Sequence, residues 1–116
     1  MKTVILDTDF IINSVKNKIQ IEASIKQLLP FRVEISILDQ TLEELKNKPL
    51  ENLAKKSISK FKIIKTTKDK KVDDLILNLP KTGLIVATQD KKLKEKLKKG
   101  KIPVITIRQQ KYLILS

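Results

Sequence analysis

The feature that most constrains this chain is the regular replacement of short β-branched runs by stretches of helical period. "TVIL" at 3–6, "FRVEIS" at 31–36, "KIIKT" at 62–66, "LIVAT" at 84–88 and "PVITI" at 103–107 read as strands. Between them run "DFIINSVKN", "IEASIKQLL", the stretch containing "TLEEL", "LENLAKKSISKF", "VDDLILNL" and "KKLKEKLKK", which read as helices. Strands that alternate with helices pair side by side through crossovers, so the pattern predicts an α/β domain with a mostly parallel sheet. "LIVAT" has no polar residue before its end, as expected of a centre strand covered on both faces. The tail "KYLILS" adds a short edge strand, and 116 residues fit one domain over 1–116.

Local signals set the boundaries. Pro30 ends the second helix, because the residue before a proline avoids the helical region. Ser36 with Asp39 three residues on has capping-box spacing and predicts a helix start at Ser36, with Leu38, Leu42 and Leu45 as its apolar stripe. Pro49 restarts the chain into the next helix, "KDKK" at 68–71 is a charged link, and Gly100 stops the basic helix.

Aromatics are 3% of a chain that is 41% hydrophobic, so the core is aliphatic. The net charge of +12 is almost all lysine, since Arg32 and Arg108 are the arginines. A field of that sign favours polyanions, with nucleic acid the leading partner. The chain has no histidine, cysteine or tryptophan, which excludes imidazole bases, Ser-His-Asp triads, thiol nucleophiles and zinc sites built on His or Cys. Catalysis must then use carboxylates, hydroxyls, lysines and a hard, oxygen-seeking metal. No apolar run approaches the length of a bilayer span, so a soluble cytoplasmic protein without a membrane partner is expected.

The acids fall in a pattern. In an open parallel sheet, ligands bind beyond the carboxyl ends of the strands. Asp7 stops the first strand and Asp90 lies two residues past the fourth. Glu43 and Glu44 in "TLEELK" and Asp73 and Asp74 in "KVDDLI" sit on helices that pack beside those strands. A strongly basic chain that gathers acids from four distant segments at one rim suits a divalent cation such as Mg²⁺ or Mn²⁺, with lysines around it for a phosphodiester backbone. Each acid also has a local explanation. Asp7, Thr8 or Asp90 could cap a helix, Asp73 could favour a positive helix end, and Glu43 or Glu44 could pair with lysines.

Taken together, "ILDTDFII", "TLEEL", "VDDLI" and "IVATQDKKLK" resemble, end to end, the four acidic motifs of the PIN-domain family of metal-dependent ribonucleases, in its archaeal and ribosomal-RNA-processing form and in VapC toxins. The resemblance implies a three-layer α/β/α fold with a mostly parallel central sheet and hydrolysis of RNA, single-stranded or structured. It implies Asp7, Glu44, Asp74 and Asp90 as catalytic, metal-holding residues for Mg²⁺ or Mn²⁺. Asp9, Asp73, Thr88 and Thr8 support them, and Lys70, Lys71, Lys91 and Lys92 contact RNA. Glu44 is preferred to Glu43, and Asp74 to Asp73, because each stands before an aliphatic residue. An antitoxin or ribosome-assembly partner and a homodimer are the implied protein partners. Two alternatives are a PIN-like assembly factor that binds RNA without cutting it and, more remotely, a phosphorelay receiver. The receiver needs an aspartate after the third strand and a lysine after the fifth, where this chain has Thr66, Thr67 and Arg108.

Overall fold

The computed structural model describes residues 1–67 and 69–116. Six strands form one sheet: β1 (Lys2–Leu6), β2 (Val33–Leu38), β3 (Lys62–Ile64), β4 (Leu84–Ala87), β5 (Val104–Arg108) and β6 (Tyr112–Leu115), in the order β3-β2-β1-β4-β5-β6. All neighbours are parallel except β6, which returns antiparallel to β5 as the edge strand. The helices are α1 (Thr8–Lys16), α2 (Ile21–Leu28), α3 (Asp39–Leu45), α4 (Glu51–Ser57), α5 (Val72–Leu77) and α6 (Lys91–Lys99).

The period of two along β1 divides the core. Val4 and Leu6 point to the face covered by Phe10 and Ile11 of α1, Ile21 and Ile25 of α2, Leu45 of α3 and Ala54 of α4. Ile5 points to the other face, against Val72, Leu75 and Ile76 of α5 and Leu93 and Leu97 of α6. The result is three layers, α/β/α, as the alternation of elements predicts.

This strand order excludes the receiver reading. That architecture runs 2-1-3-4-5, with the third strand beside the first. Here β3 is an edge strand separated from β1 by β2.

Two local expectations are corrected. Ser36 does not start a helix: it lies buried inside β2, opposite Ile5 of β1 and Lys62 of β3, and the strand continues to Leu38. Ladder bonds on both sides outweigh a single cap, and α3 begins at Asp39 with no side-chain cap at Leu38. Gly100 is the residue at which α6 ends, but it has no left-handed backbone. Lys101 takes that conformation (φ 60°), with its N–H donating to the Lys98 carbonyl and that of Ile102 to the Leu97 carbonyl. Leu97 and Ile102, both buried, close this turn and supply the packing that holds a lysine where glycine is usual. Of the "KDKK" link, Lys68 lies outside the described residues.

Candidate active site

β1 and β4 are the two strands between which the chain reverses its direction of travel across the sheet, and the residues beyond their carboxyl ends form the site. The chain leaves β1 at Asp7, only 6% exposed, whose N–H still donates to the Ala87 carbonyl of β4 at 2.9 Å. Its Oδ1 accepts from the Thr8 N–H at 2.8 Å and its Oδ2 from the Thr88 hydroxyl at 2.7 Å. Burial pushes the Asp7 carboxyl up to about 6; the Thr88 and Thr8 hydrogen bonds oppose the rise, and the charges of Asp9 and Glu44 add to it. Asp7 does precede α1, yet its side chain meets the adjacent N–H instead of one a turn further along.

Thr88 joins this acid to the next. It is fully buried just past β4, and its N–H donates to the Ile105 carbonyl of β5 at 3.0 Å. While donating to Asp7, its oxygen accepts the Asp90 N–H at 3.0 Å. Asp90 caps α6, with Oδ1 accepting from Lys92 N–H at 2.9 Å and Leu93 N–H at 3.1 Å. Its Oδ2 takes no hydrogen bond among the described residues, so the same carboxylate has a cap on one side and an available oxygen on the other.

The two glutamates of α3 separate. Glu43 is exposed and pairs with Lys46 at 2.8 Å, the local role that its spacing allowed. Half-buried Glu44 instead accepts from the Thr8 hydroxyl at 2.8 Å through Oε1 and from the Val72 N–H at 3.0 Å through Oε2. It therefore ties the first residue of α1 to the first residue of α5. On α5, Asp73 is half-buried and accepts the Asp74 N–H at 3.0 Å, while Asp74 is exposed. Both border a surface hollow with Gln40, Asp69, Lys70 and Lys71. Asp9 is exposed in the first turn of α1.

A continuous set of contacts thus runs Asp90, Thr88, Asp7, Thr8, Glu44, Val72. Asp74 stands outside it, and among the described residues no group of three or more Asp, Glu, His or Cys stands close enough to hold a metal ion. The donor chemistry does suit Mg²⁺ or Mn²⁺: hard carboxylate oxygens without soft ligands, centred on a buried Asp7 that has two acids near it and no lysine paired with it among the described residues. A cation would relieve that repulsion.

Lys91 and Lys92 are exposed in the first turn of α6. Cations at a helix N-terminus oppose its dipole by about 0.3–1 kcal/mol each, so their position is not explained by helix stability. Lys70 and Lys71 are exposed beside α5.

Two polar residues of the rim escaped sequence reasoning. Asp39 follows β2 as Asp7 follows β1, and accepts from Thr66 N–H at 3.0 Å and from the Thr66 hydroxyl at 2.6 Å, joining β2 to the segment after β3. The mistaken helix start at Ser36 hid it, although an acid directly after "ISIL" was a usable signal. Gln89 grips both backbone groups of Ile107, accepting its N–H at 2.7 Å and donating to its carbonyl at 3.5 Å. No sequence spacing gives that contact.

An α/β/α domain with a buried acidic rim at the sheet's reversal point is the class that fold and site define. The PIN-like domain family matches residues 4–110, and the chain belongs to it. It is 38% identical over 125 aligned positions to Ribonuclease VapC4 of Methanocaldococcus jannaschii, covering 97% of this chain and 95% of that protein. Among solved structures it is similar to the PIN domain endonuclease Utp24, with a TM-score of 0.84 and 25% identity over 98% of this chain and 90% of the other.

Proposed function

We propose that this protein is an endoribonuclease that hydrolyses RNA phosphodiester bonds at the rim where β1 and β4 end, in a VapC-type toxin or an rRNA-processing role. The observation that carries the reading is the run of hydrogen bonds from Asp90 through Thr88 to Asp7 and on through Thr8 to Glu44. The likeness to a ribonuclease and to an endonuclease over nearly the whole chain supports it. Asp7, Asp74 and Asp90 would hold Mg²⁺ or Mn²⁺, with Glu44 sharing the ion or orienting water, and the metal would activate that water and neutralise charge developing on the phosphate.

The chain's own groups do the rest. Thr88 turns the Oδ2 of Asp7 into one fixed direction and, through the Asp90 backbone, sets the start of α6. Thr8 does the same for Glu44. Lys91 and Lys92 on α6 and Lys70 and Lys71 beside α5 bind the RNA backbone on either side of the acids, with affinity that falls as salt rises. An antitoxin or ribosome-assembly partner and a second copy of the chain are the protein partners proposed. Among the described residues no helix is long and apolar enough to cross a membrane.

The test is cleavage of single-stranded RNA with Mn²⁺, with and without a chelator, by the parent and by Asp7→Asn and Asp90→Asn. The expected outcome is cutting by the parent that stops with the chelator and drops by about 10²- to 10³-fold in each variant. Cutting that survives both substitutions removes the proposed site. A parent that binds RNA and leaves it intact favours the assembly-factor reading.

A further inference from the structure

We propose that the hollow between α1 and the β5–β6 hairpin is a nucleobase pocket, reading the nucleotide beside the cleaved bond and favouring bases that carry an exocyclic amino group. Its place next to the scissile phosphate rests on the ribonuclease reading; its chemistry rests on its own side chains.

The hollow opens at the carboxyl end of β5, directly beside the acidic rim. Gln89, one of its walls, stands in sequence between Thr88 and Asp90, and Asn13, another, donates from Nδ2 to the Asp9 carbonyl at 2.9 Å. Nucleic acid lying across Asp7 and Asp90 passes over it. Amide side chains dominate the lining, with Asn17, Gln109 and Gln110 completing the set and Lys16 alongside.

The amides are not interchangeable. Gln89 is committed to the backbone of Ile107 and forms a fixed wall. Asn13 and Asn17 both spend a side-chain N–H on a carbonyl of their own helix, Asn17 donating to the Asn13 carbonyl at 2.8 Å. Their oxygens, one helical turn apart, are left as acceptors. Acceptors in a pocket select donors, and adenine and cytosine present an amino group where uracil presents a carbonyl. The Gln109 and Gln110 side chains make no hydrogen bond among the described residues and have both donors and an acceptor to offer from the opposite lip.

The hairpin tip supplies an independent argument. Lys111 N–H closes a turn on the Arg108 carbonyl at 3.1 Å, and both central residues, Gln109 (φ 53°) and Gln110 (φ 57°), lie in the left-handed region. A turn of that kind is served with least strain by Asn-Gly. Two adjacent long side chains held there, against their backbone preference, are what a binding role retains and a purely structural turn discards.

The experiment measures binding of fluorescently labelled short oligo(A), oligo(C) and oligo(U) to the metal-free full chain, where no cutting intervenes. The parent is expected to bind oligo(A) and oligo(C) about fivefold or more tightly than oligo(U). Converting the tip to Asn-Gly, by Gln109→Asn with Gln110→Gly, should raise the melting temperature and yet lower that preference to below about twofold, and Asn13→Ala should lower it in a chain that melts as the parent does. Equal binding of the three oligomers by the parent, or a preference unchanged in both variants, overturns the pocket. Preferential binding by a parent that fails to cut any oligomer with Mn²⁺ overturns the ribonuclease reading and leaves the pocket standing; cutting without preference does the reverse.

Discussion

At the β1–β4 end of the rim each acid is fixed by a buried hydroxyl or by backbone, whereas at the α5 end Asp73 and Asp74 stand on a six-residue helix and border solvent beside Lys70 and Lys71. Asp7 and Asp90 lie beyond strands that pair along the sheet, so their positions inherit the sheet's rigidity. The tie from the rim to α5 is the Val72 N–H held by Glu44. One carboxylate therefore transmits the order of one end to the other. The difference teaches that electrostatic strain is concentrated where the structure is stiff enough to bear it, and that the acids nearest solvent are left in ordinary surroundings.

The strongest way to break the comparison is at Asp7. Its folded-state carboxyl is raised from 3.8 to about 6, so the folded protein holds this proton more tightly than the unfolded chain does. The stability that comes with the protonated form is fully present below 3.8 and is lost as pH rises through about 6. At neutral pH the penalty is up to about 3 kcal/mol, taking roughly 1.4 kcal/mol per pKa unit. Metal-free Asp7→Asn should therefore melt above the parent at pH 7, with the gap closing towards pH 4, while RNA cleavage is lost. Melting curves recorded across that range check it; a gap that does not change with pH removes the buried-charge account of Asp7.

Thr88→Val tests the junction itself. The substitution keeps the shape of a fully buried side chain but removes the donor to Asp7 and the acceptor for the Asp90 N–H. It should cost about 1–3 kcal/mol in stability and about 10- to 100-fold in cleavage. Thr88→Ser, which keeps the hydroxyl, should restore most of the activity. A valine variant as active as the parent shows that Asp7 and Asp90 do not depend on this link.

The smallest effects on stability belong to the α5 end. Asp73→Asn and Asp74→Asn should each shift folding by no more than about 0.5 kcal/mol, because neither is deeply buried. Their effect on cleavage sharpens the comparison: loss at Asp74 alone agrees with the family-derived choice, and loss at Asp73 alone moves the role to the half-buried neighbour. Measuring both variants beside the parent with saturating Mn²⁺ separates the two.

Much of this was legible in the residues. The succession of strand and helix follows from periodicity, and each of the five parallel strands falls on the run that predicts it, although β2 extends two residues past "FRVEIS". The error at Ser36 shows the limit of local signals. Its hydroxyl is buried without a hydrogen-bond partner among the described residues, so nothing about the side chain itself marks the strand. Only pairing with β1 and β3 does. The choice between Glu43 and Glu44 had the same character, since helical spacing barely separates adjacent residues and both could serve a lysine. The structure gives Glu43 to Lys46 and Glu44 to Thr8 and Val72.

The sequence by itself determined the α/β class, the absence of imidazole and thiol chemistry, the basic field and the positions along the chain where acids interrupt apolar runs. These are properties of composition and of periods two and 3.6, which a chain carries before it folds. Only the tertiary structure decided that β1 and β4 lie side by side, that Thr88 therefore meets Asp7 from 81 residues away, and that the acid between them is buried enough to resist ionisation. Contacts of that range depend on strand order, and strand order is set by how the helices cover both faces of the sheet, which no short stretch of sequence records.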